Sequence, residues 1–106
     1  MLKFVALWNL APDVNEADFE RWYQETHVED ARRIPGLRRY TVNRAAQPVR
    51  ADARYYRMAE LTFDSYSAAQ SALATPEWQH AFQDAKGRIA DHLRLFFCTE
   101  DVLLNG

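Results

Sequence analysis

The order of strand-like and helix-like segments constrains the fold of this 106-residue chain more than any other feature. Residues 2–10 form a short, mostly apolar run that ends before a proline, which is typical of a buried strand. Asn15 then has the character of a helix N-cap, and apolar residues recur at three- and four-residue spacing from about 15 to 33. This spacing predicts an amphipathic helix, which Pro35-Gly36 ends.

The rest of the chain repeats this alternation. The sequence pattern predicts strands over 37–44 and 54–63, joined by a polar loop over 45–53. It then predicts helices over 65–74 and 76–90 and a last strand over 91–102. Thr75 and Pro76 supply an N-cap and a proline at the first helical position, so they separate the two helices. The order β-α-β-β-α-β predicts an α+β, ferredoxin-like fold: a four-stranded antiparallel sheet in the order 4-1-3-2, with the helices on one face.

The pattern also predicts one domain over 1–106 that pairs with a second copy of itself. The first and third strands carry apolar residues in both phases of the pleat, although the helices cover only one face of the sheet. A second sheet is the simplest cover for the other face, so we expect a homodimer. The space between the two sheets is the expected pocket for a small-molecule substrate.

Composition excludes several classes of protein. Thirteen Lys and Arg against fifteen Asp and Glu give a net charge of −2, which argues against binding to nucleic acid or to an anionic membrane. No apolar run approaches the roughly 20 residues of a membrane helix, and the N-terminus lacks the pattern of a signal peptide. Cys98 is the only cysteine, which excludes a disulfide framework and a multi-thiolate zinc site and fits a cytoplasmic protein.

Arginine is concentrated in the middle of the chain. Residues 32–57 hold eight arginines and one acidic residue, whereas the segments on either side are acidic. One interpretation is that these charges attract an anionic substrate or partner, because the guanidinium fork suits carboxylates. The other is that they keep an edge strand from aggregating. Arg32, Arg39 and Arg57 are the candidates for holding a substrate carboxylate.

Three short motifs, in this order along the chain, resemble those of the EthD family. The first is YQETH at 23–27 with ARRIPGLRRY at 31–40, the second is YRMAELTFDS at 56–65, and the third is ATPE at 74–77. The chain departs from the family after His27, where the family often has one residue and then a proline, and where Val28 is followed here by Glu29-Asp30.

The resemblance implies a small dimeric α/β barrel. The family is named for a protein found with ether-degrading oxidation. Its relatives resemble lactone isomerases of aromatic catabolism and cyclases or dehydratases of polyketide pathways. Those chemistries imply proton transfer on a small, often acidic, ring-like substrate, and they imply no cofactor.

His27 and Glu60 are the first candidates for proton transfer. His27 shares a helix stripe with Phe19 and Tyr23, where it is either a general acid or base or a packed core residue. The resemblance favours the catalytic role, because this position matches the family's histidine. Alternation in the third strand places Glu60 with Tyr56 on the face opposite Leu61, in the expected space between two sheets, where it is either a proton carrier or part of an ion pair.

The remaining candidates would bind or orient a substrate. Tyr23 and Tyr40 would position a substrate oxygen, and Tyr23 is the stronger of the two because it shares the face of His27. Further pocket residues would be Tyr56, Trp8, Trp78 and Phe82, although aromatic residues at these spacings are also typical of a core. No spacing of His, Cys, Asp or Glu resembles a metal-binding motif.

Three hypotheses follow for function. The leading one is a cofactor-free isomerase, cyclase or lyase that acts by acid–base chemistry on a small anionic aromatic or lactone-like metabolite, in catabolism or secondary metabolism. The second is a cofactor-independent monooxygenase. The third is a non-catalytic binding or accessory protein of an oxidative degradation pathway.

Overall fold

The computed structural model describes residues 1–44, 49, 55–86, 88 and 91–106, with the backbone alone at 91–93. Its elements follow the predicted order. They are β1 (Leu2–Asn9), α1 (Glu16–Trp22), a π-helical turn (Tyr23–His27), α2 (Val28–Arg32), β2 (Arg39–Arg44), β3 (Arg57–Phe63), α3 (Tyr66–Leu73), α4 (Pro76–Ala85) and β4 (Asp91–Thr99). The loop predicted over 45–53 lies outside the described residues except at position 49.

The four strands form one antiparallel sheet in the order β2-β3-β1-β4, which is the predicted order read from the other edge. The ferredoxin-like α+β prediction is therefore confirmed. Phe4 of the central strand β1 pairs with Leu61 on one side and with Phe97 on the other. Because side chains alternate along a strand, these three residues face the same side of the sheet, toward the helices.

The first helical segment runs without a break from α1 through the π-helical turn to α2, close to the predicted 15–33. Asn15 begins it, since its side chain accepts a hydrogen bond of 3.0 Å from the backbone N–H of Asp18. Gly36 follows the end of the segment with a φ of 81°. This left-handed conformation suits glycine, because a Cβ would be strained there.

Three element boundaries differ from the prediction by three or more residues. β3 begins at Arg57, where its described pairing with Arg44 of β2 starts. β4 ends at Thr99 because β1 begins at Leu2, its pairing partner. α4 ends at Ala85, short of the predicted 90, because the backbone of the next residue is extended.

The first of these differences moves Tyr56 to the other side of the sheet. Tyr56 precedes β3, so the alternation that was expected to place it beside Glu60 does not apply to it. Its ring contacts Phe19 of α1, with a centroid distance of 5.7 Å, and its hydroxyl bonds to Glu20. The prediction for the face of Tyr56 was therefore wrong, whereas the face predicted for Leu61 was right.

The core lies between the sheet and the helices. Its largest fully buried side chains are Trp8, Phe19, Tyr23 and Phe63. The other face of the sheet carries the residues of the opposite phase, which include Lys3, Val5, Leu7, Met58, Glu60, Phe96 and Cys98. Phe96 is 45% exposed there, so this outer face has apolar surface that the described helices do not cover.

Candidate functional site

A cavity of about 120 Å³ lies between the helix-facing side of the sheet and the helices. This cavity lies within one protomer, whereas the expected pocket between two sheets would lie on the other face of the sheet and stays a prediction. The residues around it are mostly apolar and many are small: Phe4, Ala6, Trp8, Tyr23, His27, Ala31, Ile34, Tyr40, Ala59, Leu61, Trp78, Ala81, Phe82, Ala85, Lys86 and Leu95. The small side chains leave open space because aromatic residues around them hold the sheet and helices apart.

The π-helical turn places His27 against two aromatic rings. Its imidazole centroid is 5.0 Å from the ring of Trp22 and 5.1 Å from the ring of Tyr23. The backbone N–H of Val28 bonds to the carbonyl of Tyr23, five residues earlier, so the turn is wider than that of an α-helix. Single π-helical turns inside α-helices are frequent at functional sites.

His27 is neutral at pH 7. Burial lowers the pKa of its imidazole, and the nearby carboxylates of Asp84 and Asp30 only partly oppose this effect. Its Nδ1 atom is buried and has no hydrogen-bond partner among the described residues. A neutral imidazole carries a lone pair, so the side chain can accept a proton within the apolar surroundings of the cavity.

The hydroxyls of Tyr23 and Tyr40 form a hydrogen-bonded pair, with 2.6 Å between the two oxygens. Burial raises the pKa of Tyr23 far above its usual range and also raises the pKa of Tyr40, but the hydrogen bond with Tyr23 and the charge of Arg57 moderate the shift at Tyr40. Either hydroxyl can be the donor in this pair. When Tyr23 donates, the O–H of Tyr40 is available to a bound molecule.

Arg57 and Tyr56 lie behind this pair and do not line the cavity. Arg57 bonds to Glu20, and its guanidinium lies 5.7 Å from the ring centroid of Tyr23 and 5.4 Å from that of Tyr56. Burial opposes ionisation of Glu20, but hydrogen bonds from Arg57 and Tyr56 hold the pKa of its carboxyl below the usual range. Arg57 is thus engaged in an ion pair within the protein.

Glu60 lies on the other face of the sheet. Its carboxylate is 3.4 Å from Nζ of Lys3 and accepts a hydrogen bond of 3.3 Å from the hydroxyl of Thr41. The sheet separates it from His27 in the same protomer. The predicted face of Glu60 is therefore right, but the cavity is on the opposite face.

The structure brings together only some of the predicted site residues. Those at the cavity are His27, Tyr23, Tyr40, Trp8, Trp78 and Phe82, and those away from it are Glu60, Tyr56, Arg57, Arg32 and Arg39. Arg32 is exposed and pairs with Glu29 at 3.1 Å, and Arg39 is exposed in an edge strand, in the same phase as Thr41.

Sequence reasoning missed the small residues of the cavity and Lys86. Trp78, Ala81, Phe82 and Ala85 recur at three- and four-residue spacing in α4, which is a signal for one helix face. Lys86 follows the last residue of that helix. A single lysine at a helix end carries no pattern, so only the fold reveals its position at the cavity.

Two contacts join α4 to the first helical segment around the cavity, and one more comes from Arg88, which follows α4. The indole N–H of Trp22 donates a hydrogen bond of 2.8 Å to Asp84, and Arg88 lies over the Trp22 ring at 4.5 Å from its centroid. Nε2 of His80 is 3.2 Å from Asp30 in α2. These contacts hold the helical segment that carries His27 against α4, which Lys86 follows.

The described residues hold no group of three His, Cys, Asp or Glu side chains that could bind a metal ion. Within the same residues, no helix is long and apolar enough to cross a membrane. The candidate site is therefore the cavity with its one histidine, two hydroxyls and one ammonium group.

Comparison with known proteins matches most of the chain to one family. A model described as the EthD domain matches residues 11–92. An uncharacterized 11.0 kDa protein in the thcB-thcC intergenic region of Rhodococcus erythropolis is 27% identical over 88 residues, which cover 83% of this chain and 85% of that protein. The crystal structure of an ethyl tert-butyl ether d (EthD) family protein from Bacillus halodurans is 30% identical, with a TM-score of 0.84, and the match covers 95% of this chain and 99% of that one.

More distant structures share the fold alone. A hydroxynitrile lyase from Passiflora edulis is 10% identical with a TM-score of 0.77, and the match covers 98% of this chain and 96% of that one. SnoaB of Streptomyces nogalater, described as a cofactor-independent oxygenase, is 21% identical with a TM-score of 0.65 over 97% of both chains. A dimeric ferredoxin-like protein of unknown function from Thermobifida fusca is 16% identical with a TM-score of 0.73, over 93% of this chain and 90% of that one.

Proposed function

The chain belongs to the EthD domain family, and we propose that it binds one small ring-shaped organic molecule in its cavity and transfers a proton on it without a cofactor. The observation that carries this proposal is the meeting of three groups at one apolar cavity: the imidazole of His27 and the paired hydroxyls of Tyr23 and Tyr40. An apolar cavity with a few convergent polar groups and shifted pKa values is typical of a small-molecule site.

We assign His27 as the base. Because Nδ1 is buried, Nε2 is the nitrogen available to the ligand. In the proposed step Nε2 takes a proton from a carbon next to a carbonyl group. The electron pair of that C–H bond forms the C=C bond of an enolate, and the π pair of the carbonyl moves onto its oxygen. The imidazolium then returns the proton, either to the same carbon or to another carbon of the enolate, which gives exchange or isomerisation.

We assign Tyr40 as the hydrogen-bond donor to the developing oxyanion. In this proposal Tyr23 is the donor of the hydroxyl pair, whose oxygens lie 2.6 Å apart, and it orients the hydroxyl of Tyr40, so Tyr23 is a positioning residue. A preorganised donor aimed at a forming oxyanion in an apolar cavity stabilises the transition state more than the ground state. Trp8, Trp78 and Phe82 form the walls against which the ring of the ligand packs.

The other predicted site residues receive no ligand contact in this proposal. Glu60 is on the opposite face of the sheet, and Arg57 is held by Glu20. Arg32 and Arg39 are exposed away from the cavity. The arginine-rich segment therefore fits the alternative interpretation better, since β2 is an edge strand.

The distant relatives support a small-molecule role in general. The Passiflora edulis protein is described as a lyase and SnoaB as an oxygenase, and both share this fold. The neutral base and the hydroxyl donor at the cavity suit a lyase or isomerase. The oxygenase hypothesis needs the same base to form a substrate anion. The two hypotheses differ only in whether that anion then reacts with oxygen.

We also propose that the protein is a homodimer joined through the outer face of the sheet. That face carries exposed Phe96 next to Val5 and Leu7, and the described helices leave it uncovered. The Thermobifida fusca protein of the same fold is described as dimeric, which supports this arrangement. Glu60 and its partner Lys3 would then lie at the interface between the copies.

The test is deuterium exchange, because it requires no knowledge of the product. Cyclic ketones, lactones and phenols are incubated with the protein in D₂O, and deuterium uptake at carbon is followed by NMR. We expect the wild type to catalyse exchange in at least one compound, and His27→Gln to lower the rate about 100-fold with binding retained. Tyr40→Phe is expected to lower it by a similar factor. Gln70→Ala, which changes an exposed side chain of α3 away from the cavity, is the control.

The alternatives give different results in the same experiment. Binding without exchange in the wild type would contradict the catalytic proposal and support the accessory-protein hypothesis. Oxygen consumption with a bound phenol would support the monooxygenase hypothesis. Equal rates in wild type and His27→Gln would overturn the role of His27.

A further inference from the structure

Lys86 is the cationic side chain that the structure places at the cavity. It follows the last residue of α4, Ala85, which also lines the cavity, and it is exposed. The interior near it is formed by apolar side chains, among them Phe82 and Leu95. His27 is the other lining residue that could carry positive charge, and burial lowers its pKa. The ammonium group of Lys86 is therefore the positive charge that a molecule bound in the cavity would meet.

The ammonium group of Lys86 has no ion-pair or hydrogen-bond partner in the described part of the chain, which sets it apart from most of the other cations. Lys3, Arg38, Arg57 and Arg88 each pair with a carboxylate. Asp84 of α4 lies two residues before Lys86 in the sequence, and its carboxylate pairs with Arg88. A cation at the edge of an apolar cavity without a carboxylate of its own points to an anionic group in the ligand.

We propose that the ligand of this cavity is a monocyclic carboxylate, whose ring lies in the cavity and whose carboxylate binds the Lys86 ammonium group. The proposal rests on the proposed function and specifies its substrate class. The enclosed volume of about 120 Å³ suits a single six-membered ring, since an apolar cavity of about 150 Å³ is known to hold benzene.

The position of Lys86 keeps the desolvation cost of a bound carboxylate low. Lys86 is exposed, so a carboxylate bound there keeps part of its hydration, whereas a charge deeper in the cavity would lose it. The ring at the same time reaches the imidazole of His27 and the hydroxyl of Tyr40, which line the same cavity. Lys86 therefore acts as a specificity-determining residue that orients the ring, and it takes no part in the proton transfer.

The test compares two probes of the same shape, benzoate and benzamide, by NMR titration. We expect the wild type to bind benzoate more tightly than benzamide by about fivefold, which is the upper range for an exposed ion pair. Lys86→Gln is expected to abolish this preference while benzamide binding is unchanged, and Lys86→Arg to retain it. Arg21→Gln removes one positive charge from the exposed face of α1 and serves as the matched control.

The outcomes distinguish this inference from the proposed function. Equal binding of the two probes by the wild type would overturn the role of Lys86 and leave the ring-binding cavity intact. An equal loss of preference in Lys86→Gln and Arg21→Gln would also overturn it, because a general charge effect would then explain the preference. If neither probe binds the wild type, the monocyclic carboxylate is overturned as the ligand, and deuterium exchange in the other compounds tests the proposed function separately.

Discussion

At the scale of single residues, burial of His27 makes the stability of the fold depend on pH. Burial lowers the pKa of the folded imidazole below its unfolded value near 6.5. The contribution of His27 is therefore complete above about pH 6.5 and is lost as the pH falls through the folded pKa, because the unfolded chain then binds more protons. We expect the wild type to lose more stability than His27→Gln between about pH 8 and about pH 5, measured by urea unfolding.

Gln70→Ala provides the comparison for this prediction, because that side chain is exposed, uncharged and outside the cavity. Its loss of unfolding free energy between the same limits is expected to equal that of the wild type. A constant difference in unfolding free energy between wild type and His27→Gln at both pH values would contradict the assigned burial of the imidazole.

Helical spacing predicted part of the cavity lining. It placed Tyr23 and His27 on one face, and both line the cavity. It could not locate the cavity itself, because that depends on small side chains from separate elements, such as Ala6, Ala59 and Ala81, meeting at one point. Alternation in β3 likewise predicted on which side of the sheet a side chain lies, but it could not show on which side the cavity would be.

At the scale of elements, the hydroxyl of Thr75 joins two helices. It accepts a hydrogen bond of 3.2 Å from the N–H of Trp78 and donates one of 2.6 Å to the carbonyl of Ala72. Removal of an N-cap costs about 1 kcal/mol. We expect Thr75→Ala to lower the melting temperature by about 4–8 °C, measured by circular dichroism. Thr75→Ser keeps the hydroxyl, so its melting temperature should remain close to that of the wild type. An equal fall in melting temperature in both variants would show that the methyl group, and not the cap, stabilises the fold.

Most element types followed from the sequence because capping residues, prolines and a glycine mark their ends. The π-helical turn at Tyr23–His27 had no such mark, since it arises from one backbone hydrogen bond that spans five residues. Strand ends were also imprecise, because they depend on where the partner strand begins. Thr99 ends β4 only because Leu2 is the first residue of β1.

At the scale of the whole molecule, the alternating apolar pattern correctly predicted a sheet with helices on one face. Net charge and composition could not show where the charges lie in space. The arginine-rich segment suggested an anion site, yet Arg57 is paired with Glu20 and Arg39 lies on an edge strand. The cation at the cavity, Lys86, comes instead from an acidic part of the sequence.

The outer face of the sheet gives the last prediction, which concerns the proposed homodimer. Phe96 is 45% exposed and is paired in register with Val5 of the central strand, so it lies within the face that a second copy would cover. A carboxylate at that position would have to be buried without a partner in the dimer, which costs several kcal/mol. We expect the wild type to sediment as a dimer at micromolar concentration and Phe96→Asp to sediment as a monomer.

Gln70→Asp places the same charge on the exposed surface of α3 and should leave the dimer intact. A monomeric wild type, or a dimeric Phe96→Asp, would show that this face is not the interface; the cavity would be unaffected, because its residues come from the opposite face of one protomer.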